Sequence, residues 1–117
     1  MTGPVVKALD QGKLLDLPGR TSRELLSSLD GANLTIRHVT IPADQGARDF
    51  HSHVDANEYI YIVSGSGEFK TPESEQSIGV DQLIFIPKGT SHYTKNTGKE
   101  DLVLLCIFDS ASLHEHG

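Results

Sequence analysis

The feature that most constrains the fold is a regular succession of short strand-like segments separated by turn signals. Residues 57–64 are rich in aromatic and β-branched side chains and are followed by Gly65-Ser66-Gly67. Similar segments recur about every 8–12 residues, roughly ten in all, and no convincing helix interrupts them. Such spacing predicts an all-β sandwich or barrel.

The first thirty residues are the hardest to assign. Short apolar pairs there predict an N-terminal arm or edge strands over residues 1–30. Residues 22–29 carry leucines at helical spacing, but the segment is short and its neighbours resemble strands, so we favour a strand. Asp30-Gly31 is a hairpin-turn signal, and residues 110–117 are expected to form a frayed tail.

Composition narrows the class of protein. The chain has 117 residues, enough for one domain, and a net charge of −6, which argues against nucleic acid as a partner. The lone Cys106 excludes an internal disulfide and, within the apolar run 102–108, predicts a buried structural thiol. With no visible signal peptide and no apolar run of about 20 residues, we expect a cytoplasmic protein with no membrane partner.

Three histidines and a glutamate form the most informative pattern. His51 and His53 are two residues apart, so in an extended segment both imidazoles point to the same side. Glu58 follows, and His92 comes after Pro87-Lys88-Gly89. Three imidazoles and one carboxylate suit one divalent transition metal: iron, manganese, nickel, cobalt, copper or zinc. Four protein ligands leave coordination positions open, as a reactive metal requires.

These residues resemble the two motifs of the cupin superfamily, and in particular its small single-domain members. The first motif, G-x5-H-x-H-x(3,4)-E-x6-G, is matched from His51 through Glu58 to Gly65, although Gly46 lies one residue too close to His51. The second motif, G-x5-P-x-G-x2-H-x3-N, is matched from Pro87 to Asn96, while Val80 replaces its first glycine. The two motifs together cover residues 46–96.

The resemblance implies a double-stranded β-helix, or jelly-roll barrel, formed by residues 1–117 as a single domain. It implies that His51, His53, Glu58 and His92 bind the metal. It also implies frequent dimerisation, through the barrel flank or an exchanged N-terminal strand, so we expect a homodimer.

Other residues are candidates for a pocket around the metal. Strand parity places Ile60 and Ile62 on the face of Glu58, and Thr94 and Asn96 on the face of His92. Arg37 could bind a substrate carboxylate if it faces inward, but the sequence leaves open whether Arg37 and Val39 or Ile36 and His38 do so. The remaining assignments are weaker: Tyr59 and Tyr61 point away from the metal, Arg48 is a lesser substrate anchor, and His114-Glu115-His116 is a solvated tail.

Two functional classes remain open. One is a metal-dependent enzyme acting on a small polar or carboxylate-bearing molecule, with dioxygenase-type chemistry favoured because the ligand set suits a redox metal. The other is a non-catalytic, metal-containing module that binds a small sugar or carboxylate. The catalytic residues, the metal and the substrate are not identified by the sequence.

Overall fold

The computed structural model describes residues 3–45, 48–111 and 113. In that part of the chain nine β-strands and two short 3-10 helices, Leu9–Gln11 and Ser28–Asp30, form the fold. The strands are β1 Lys13–Leu17, β2 Arg20–Leu26, β3 Thr35–Ile41, β4 Glu58–Ser64, β5 Ser66–Thr71, β6 Ser74–Gly79, β7 Leu83–Ile86, β8 Tyr93–Asn96 and β9 Leu102–Phe108.

Two antiparallel sheets are built from these strands. The larger sheet has the order β1-β2-β3-β9-β4-β7, and the smaller one has the order β6-β5-β8. All of the strand pairs are antiparallel, and the chain crosses between the sheets as a jelly roll does. The all-β, cupin-type jelly-roll prediction is therefore confirmed.

Alternating side chains place the core on the inner face of the larger sheet. In β3 and β9 every second residue is buried, beginning with the first residue of each strand. The sequence left the phase of β3 open, and the structure resolves it: Arg37 and Val39 face inward, while His38 faces outward. Arg37 lies directly opposite Cys106 of β9, so both side chains point towards the same interior.

The turn between β4 and β5 depends on glycine. Gly65 has a φ of 89°, a left-handed conformation, and a Cβ at this position would lie 2.6 Å from the carbonyl oxygen of Asp101. Any other residue would be strained there, and its side chain would push the turn after β4 away from the start of β9.

Three local predictions differ from the structure. Residues 22–29 form a strand only as far as Leu26, and Leu29 lies in a 3-10 helix. Asp30-Gly31 is not a two-residue hairpin turn: Asp30 ends that helix, and Gly31 caps it with a φ of 78° and an amide that donates to the carbonyl of Ser28. The extended segment expected around His51 and His53 is not a regular strand, since within it only His51 bridges to another described segment.

The described residues of the predicted tail contact the rest of the fold. The carbonyl of Ser110 accepts a hydrogen bond of 2.7 Å from the Thr35 hydroxyl, and Ala111 accepts one from the Ser28 amide. Leu113 packs against the hydrophobic core. Gly46 and the segment His114-Glu115-His116 lie outside the described residues.

The outer face of the larger sheet carries exposed apolar side chains near its β7 edge. Tyr61 pairs with Leu83, and Tyr59 pairs with Phe85 at a ring-centroid distance of 5.3 Å. Leu83 and Phe85 are more than half exposed. Within the part of the chain that the structure describes, no helix is long and apolar enough to cross a membrane.

Candidate metal centre and its cavity

The structure brings His51, His53 and His92 together, and we call these three residues the histidine cluster. Each offers one ring nitrogen, and these three atoms all lie within 4.8 Å of one another. Nitrogen atoms bound to a common ion at about 2.1 Å are at most about 4.2 Å apart, so small side-chain rotations would complete the site. The cluster suggests a metal cofactor.

Backbone contacts hold two of these histidines side by side. His51 and His92 form an isolated antiparallel bridge, with hydrogen bonds of 3.0 and 2.9 Å between their amides and carbonyls. Their rings are 4.5 Å apart. The Gly89 amide donates a 2.8 Å hydrogen bond to the carbonyl of His53, so the turn before His92 also fixes the third histidine. The histidines are therefore positioned by paired loops at the end of the sandwich.

Glu58, the first residue of β4, approaches the cluster from the larger sheet. Its Oε1 lies 3.2 Å from Nε2 of His92 and 3.5 Å from Nε2 of His53. Glu58, His53 and His92 are all at least 95% buried, and no hydrogen bond to that Oε1 is formed within the described residues. A buried carboxylate oxygen that faces two imidazole nitrogens is an arrangement that a cation would stabilise.

The tautomer of His92 is fixed by its surroundings. Its Nδ1 lies 2.8 Å from the carbonyl oxygen of Thr90. Because a carbonyl only accepts hydrogen bonds, Nδ1 carries the proton and Nε2 keeps its lone pair towards Glu58 and the cluster. Such a hydrogen bond from the distal ring nitrogen is typical of metal-binding histidines.

The cluster also favours the neutral form of His51. Burial, together with the neighbouring His92 and His53, lowers the pKa of His51 from 6.5 to about 3. The imidazole is therefore unprotonated at neutral pH, which is the form that binds a metal. The neutral imidazole of His51 and the positions of the histidine cluster and Glu58 therefore both fit a bound metal ion.

A cavity opens from the cluster into the sandwich. Its empty volume of about 380 Å³ includes the part that is open to solvent, and about 30 Å³ of it is accessible to the centre of a water-sized sphere, so the enclosed part is small. We call it the inner cavity. It is lined by Arg20, Arg37, Val39, Ile41, Arg48, His51, Glu58, Ile60, His92, Thr94, Leu104, Cys106 and Phe108.

Arg37 is the most unusual residue of this lining. Its side chain is 94% buried, and its guanidinium carbon lies 5.5 Å from the centre of the Phe108 ring. Its Nε and Nη1 make no hydrogen bond to any described residue. A buried cation with two unsatisfied donors is costly, and it marks a place where an anion can bind.

The predicted pocket residues divide into two groups. Arg37, Ile60 and Thr94 line the inner cavity, as do Glu58 and two of the histidines. Ile62 and Asn96 are buried outside that lining. The Asn96 amide nitrogen donates to the carbonyls of Ile41 and Glu100, and its Oδ1 accepts from Gly98, so Asn96 ties β8 to the loops around it.

Sequence reasoning did not predict several residues of the cavity, and two of these are polar or reactive, Arg20 and Cys106. Arg20 begins β2, and its position in the lining follows only from the pairing of β2 with β3. Cys106 is buried as expected, but it faces the cavity rather than the hydrophobic core alone. Burial raises the pKa of the Cys106 thiol well above its usual value and the charge of Glu58 adds to this, so the thiol stays protonated.

A family model described as "Cupin domain" matches residues 37–108, more than half of the chain. The matched segment contains the histidine cluster, Glu58, most of β3 and all of β4 to β9. The chain belongs to the cupin family.

Among curated proteins, the chain is similar to the glucose-6-phosphate isomerase of Thermococcus kodakarensis. The two are 32% identical over 73 residues, a stretch that covers 58% of this chain and 39% of the isomerase. The chain therefore spans well under half the length of that relative.

Among solved structures, the chain is similar to the ectoine synthase of P. lautus and to the polyketide cyclase RemF of Streptomyces resistomycificus. Both have a TM-score of 0.78, with 20% and 22% sequence identity respectively. The similarity covers 92% of this chain and 78% of the synthase, and 98% of this chain and 83% of the cyclase. At these identities the likeness establishes the jelly-roll fold.

Proposed function

We propose that this protein is a metal-dependent cupin enzyme that acts on a small carboxylate-bearing molecule bound in the inner cavity. The observation that carries the proposal is the presence of Arg37, buried and with two unpartnered donors, in the same cavity as His51, His92 and Glu58. A site for a cation and a site for an anion thus face the same small space.

In this proposal His51, His53, Glu58 and His92 hold one divalent transition metal. When bound, such an ion supplies Lewis-acid polarisation of a substrate oxygen or, if it is redox-active, access to oxygen chemistry. The identity of the ion stays open among iron, manganese, nickel, cobalt, copper and zinc, because imidazole and carboxylate ligands suit all six.

The chain's own residues would orient the substrate. Arg37 would bind its carboxylate through two parallel hydrogen bonds, a geometry that a guanidinium favours. Ile60, Leu104 and Phe108 are buried on the cavity wall and would exclude water from the reacting atoms. Thr94 would offer a hydroxyl for one further hydrogen bond.

The lining also limits the acid–base chemistry. In the described lining of the inner cavity, the only carboxylate is Glu58 and the only imidazoles belong to the histidine cluster. With these residues committed to the metal, proton transfer by a separate side chain is not the main source of catalysis. This supports chemistry driven by charge stabilisation, and dioxygenase-type chemistry remains our prediction within that class.

The metal site is tested by elemental analysis of the purified protein and of two matched histidine variants. His92→Ala removes a cluster ligand, whereas His38→Ala removes a histidine on the outward face of β3. We expect stoichiometric metal in the wild type and in His38→Ala, and at least a tenfold loss in His92→Ala with an unchanged circular dichroism spectrum. Equal metal content in the two variants would contradict the proposal.

Oxygen consumption and product analysis with small keto acids and dicarboxylates then test the reaction. Uptake of oxygen with one of them would support dioxygenase chemistry, and product formation without oxygen would replace it by another metal-dependent class. Ligand-induced stabilisation without turnover would favour the non-catalytic binding module.

We also propose that the protein acts as a homodimer in the cytoplasm. The exposed apolar side chains of Tyr61, Leu83 and Phe85 on the outer sheet face support dimerisation, since such patches often form protein interfaces. The cytoplasmic compartment rests on the sequence expectation alone.

A further inference from the structure

The charges around the inner cavity are unbalanced. Its lining contains three guanidinium groups and a single carboxylate. In the described residues, no salt bridge joins Arg20, Arg37 or Arg48 to an acidic side chain within 4.0 Å. A metal at the histidine cluster would also bind Glu58, so none of the three cations would have an acidic partner among the described residues.

Two of these arginines also border a second space. Arg20 and Arg48 line an adjoining pocket together with Pro18, Asp49, Phe50 and His51, which we call the outer pocket. Arg37 lines only the inner cavity. The three guanidinium groups are thus distributed from the interior, at Arg37, to the entrance, at Arg20 and Arg48.

The entrance arginines are held in place by contacts of their own. Nη2 of Arg48 donates a 2.7 Å hydrogen bond to the carbonyl of Thr94, and its guanidinium carbon lies 5.8 Å from the centre of the Tyr93 ring. Nη1 of Arg20 donates a 2.9 Å hydrogen bond to the carbonyl of Pro18. A Cβ at Gly19 would come within 2.7 Å of Cδ of Arg48, so the turn between β1 and β2 packs closely against the arginine side chain.

Electrostatics disfavour this pair when nothing is bound between its members. Burial, together with the positive charge of Arg20, lowers the pKa of Arg48 to about 10. Asp49 borders the same pocket but is exposed and pairs with neither arginine among the described residues. Two half-buried cations that are fixed side by side gain from an anion that accepts hydrogen bonds from both.

From this distribution we infer that the substrate is a small dianion. Its carboxylate binds Arg37 beside the metal ligands, and its second anionic group binds between Arg20 and Arg48 at the entrance. The inference rests on the proposed function for the inner site, but it assigns the entrance pair on separate evidence. A second carboxylate and a phosphate share the required chemistry, since both accept two or more hydrogen bonds from guanidinium groups.

The test measures binding to the metal-loaded protein by calorimetry in HEPES buffer. Acetate is the monoanion, malonate and succinate are dicarboxylates, and phosphoglycolate carries one carboxylate and one phosphate. We expect at least one dianion to bind tenfold or more tightly than acetate. A larger gain for phosphoglycolate than for the dicarboxylates would identify the second group as phosphate, and the reverse would identify it as carboxylate.

Variants separate the two subsites. In the double variant Arg20→Gln, Arg48→Gln the preference for the dianion should fall to less than threefold, with acetate affinity and metal content unchanged. Arg23→Gln, on β2 but outside the cavity, is the control and should keep the full preference. If the double glutamine variant does not fold, Arg20→Lys and Arg48→Lys retain the charges and should keep at least a threefold preference.

The outcomes distinguish the two proposals. A wild-type protein that binds no metal would contradict the proposed function. The present inference would be overturned if the metal-loaded wild type binds no dianion more tightly than acetate. It would also be overturned if the preference for the dianion survives in the double glutamine variant or is lost in both lysine variants. None of these results would contradict the metal centre.

Discussion

Substitution of Arg37 tests whether a residue proposed to bind substrate lowers the stability of the unliganded fold. Its Nε and Nη1 are buried without a hydrogen-bond partner among the described residues. Replacement by methionine removes the charge and keeps an unbranched side chain of similar length. The substitution therefore removes a stability cost that only a bound anion would offset.

The size of the effect follows from the contacts. Removal of each buried, unsatisfied donor stabilises the fold by about 1–3 kcal/mol. Loss of the cation–π contact with Phe108 destabilises it by about 0.5–2 kcal/mol. We therefore expect Arg37→Met to raise the free energy of unfolding by between about 0 and 5.5 kcal/mol. For a chain of 117 residues each kcal/mol corresponds to a rise in Tm of about 3–5 °C.

The assay is urea and thermal unfolding of the metal-loaded protein in a buffer free of carboxylate and phosphate. The metal must be present, because removing a cation beside an unliganded Glu58 would leave that carboxylate less compensated. Arg48→Met is the matched control: its guanidinium donates to the Thr94 carbonyl, so its loss should lower stability by about 0.5–1.5 kcal/mol. A fall of 1 kcal/mol or more in Arg37→Met would show that Arg37 is a structural residue and would refute the reasoning.

Further predictions concern stability and assembly. Because burial lowers the pKa of His51 to about 3, the unfolded chain takes up its proton below about pH 6.5 while the folded chain does not. The free energy of unfolding of the metal-free protein, measured in urea, should therefore fall as the pH decreases from 6.5 towards 3. The fall should be less than about 1.4 kcal/mol per pH unit because His51 is partly exposed, and a free energy of unfolding that does not change with pH would contradict this. Asn96→Ala removes a buried amide with three hydrogen bonds and should lower the free energy of unfolding by about 2–3 kcal/mol in urea titrations, with metal content retained in the folded fraction. Phe85→Glu places a charge on the outer sheet face and should convert the proposed dimer to a monomer, as measured by light scattering. An unchanged mass would show that this face is not the dimer interface.

Sequence patterns predicted the fold class because the strand periods and turn residues are local signals. β3 and β9 bury alternate residues, as their apolar spacing indicates. The histidine cluster was also predictable, since its members lie in two compact motifs. That they are held by paired loops rather than by a strand through residues 50–53 was not predictable, because the His51–His92 bridge joins segments 41 residues apart in the sequence.

The rest of the cavity depends on pairings between distant strands. β2 has the sequence Arg-Thr-Ser-Arg-Glu-Leu-Leu and buries a serine, Ser22, so its inward phase gives no apolar signal. Arg20 reaches the cavity because β2 pairs with β3 in a particular register. The inward phase of Arg37 was likewise set by tertiary packing, since each face of β3 contains β-branched residues and one ionisable side chain, Arg37 or His38.

The central claim is that the three histidines and Glu58 share one ion. A crystal structure with anomalous diffraction recorded at the absorption edge of the metal found by elemental analysis tests it most directly. We predict one anomalous peak at about 2.0–2.3 Å from a ring nitrogen of His51, His53 and His92 and from a carboxylate oxygen of Glu58. A peak bound by other residues, or loaded protein with no peak between these four side chains, would contradict the account.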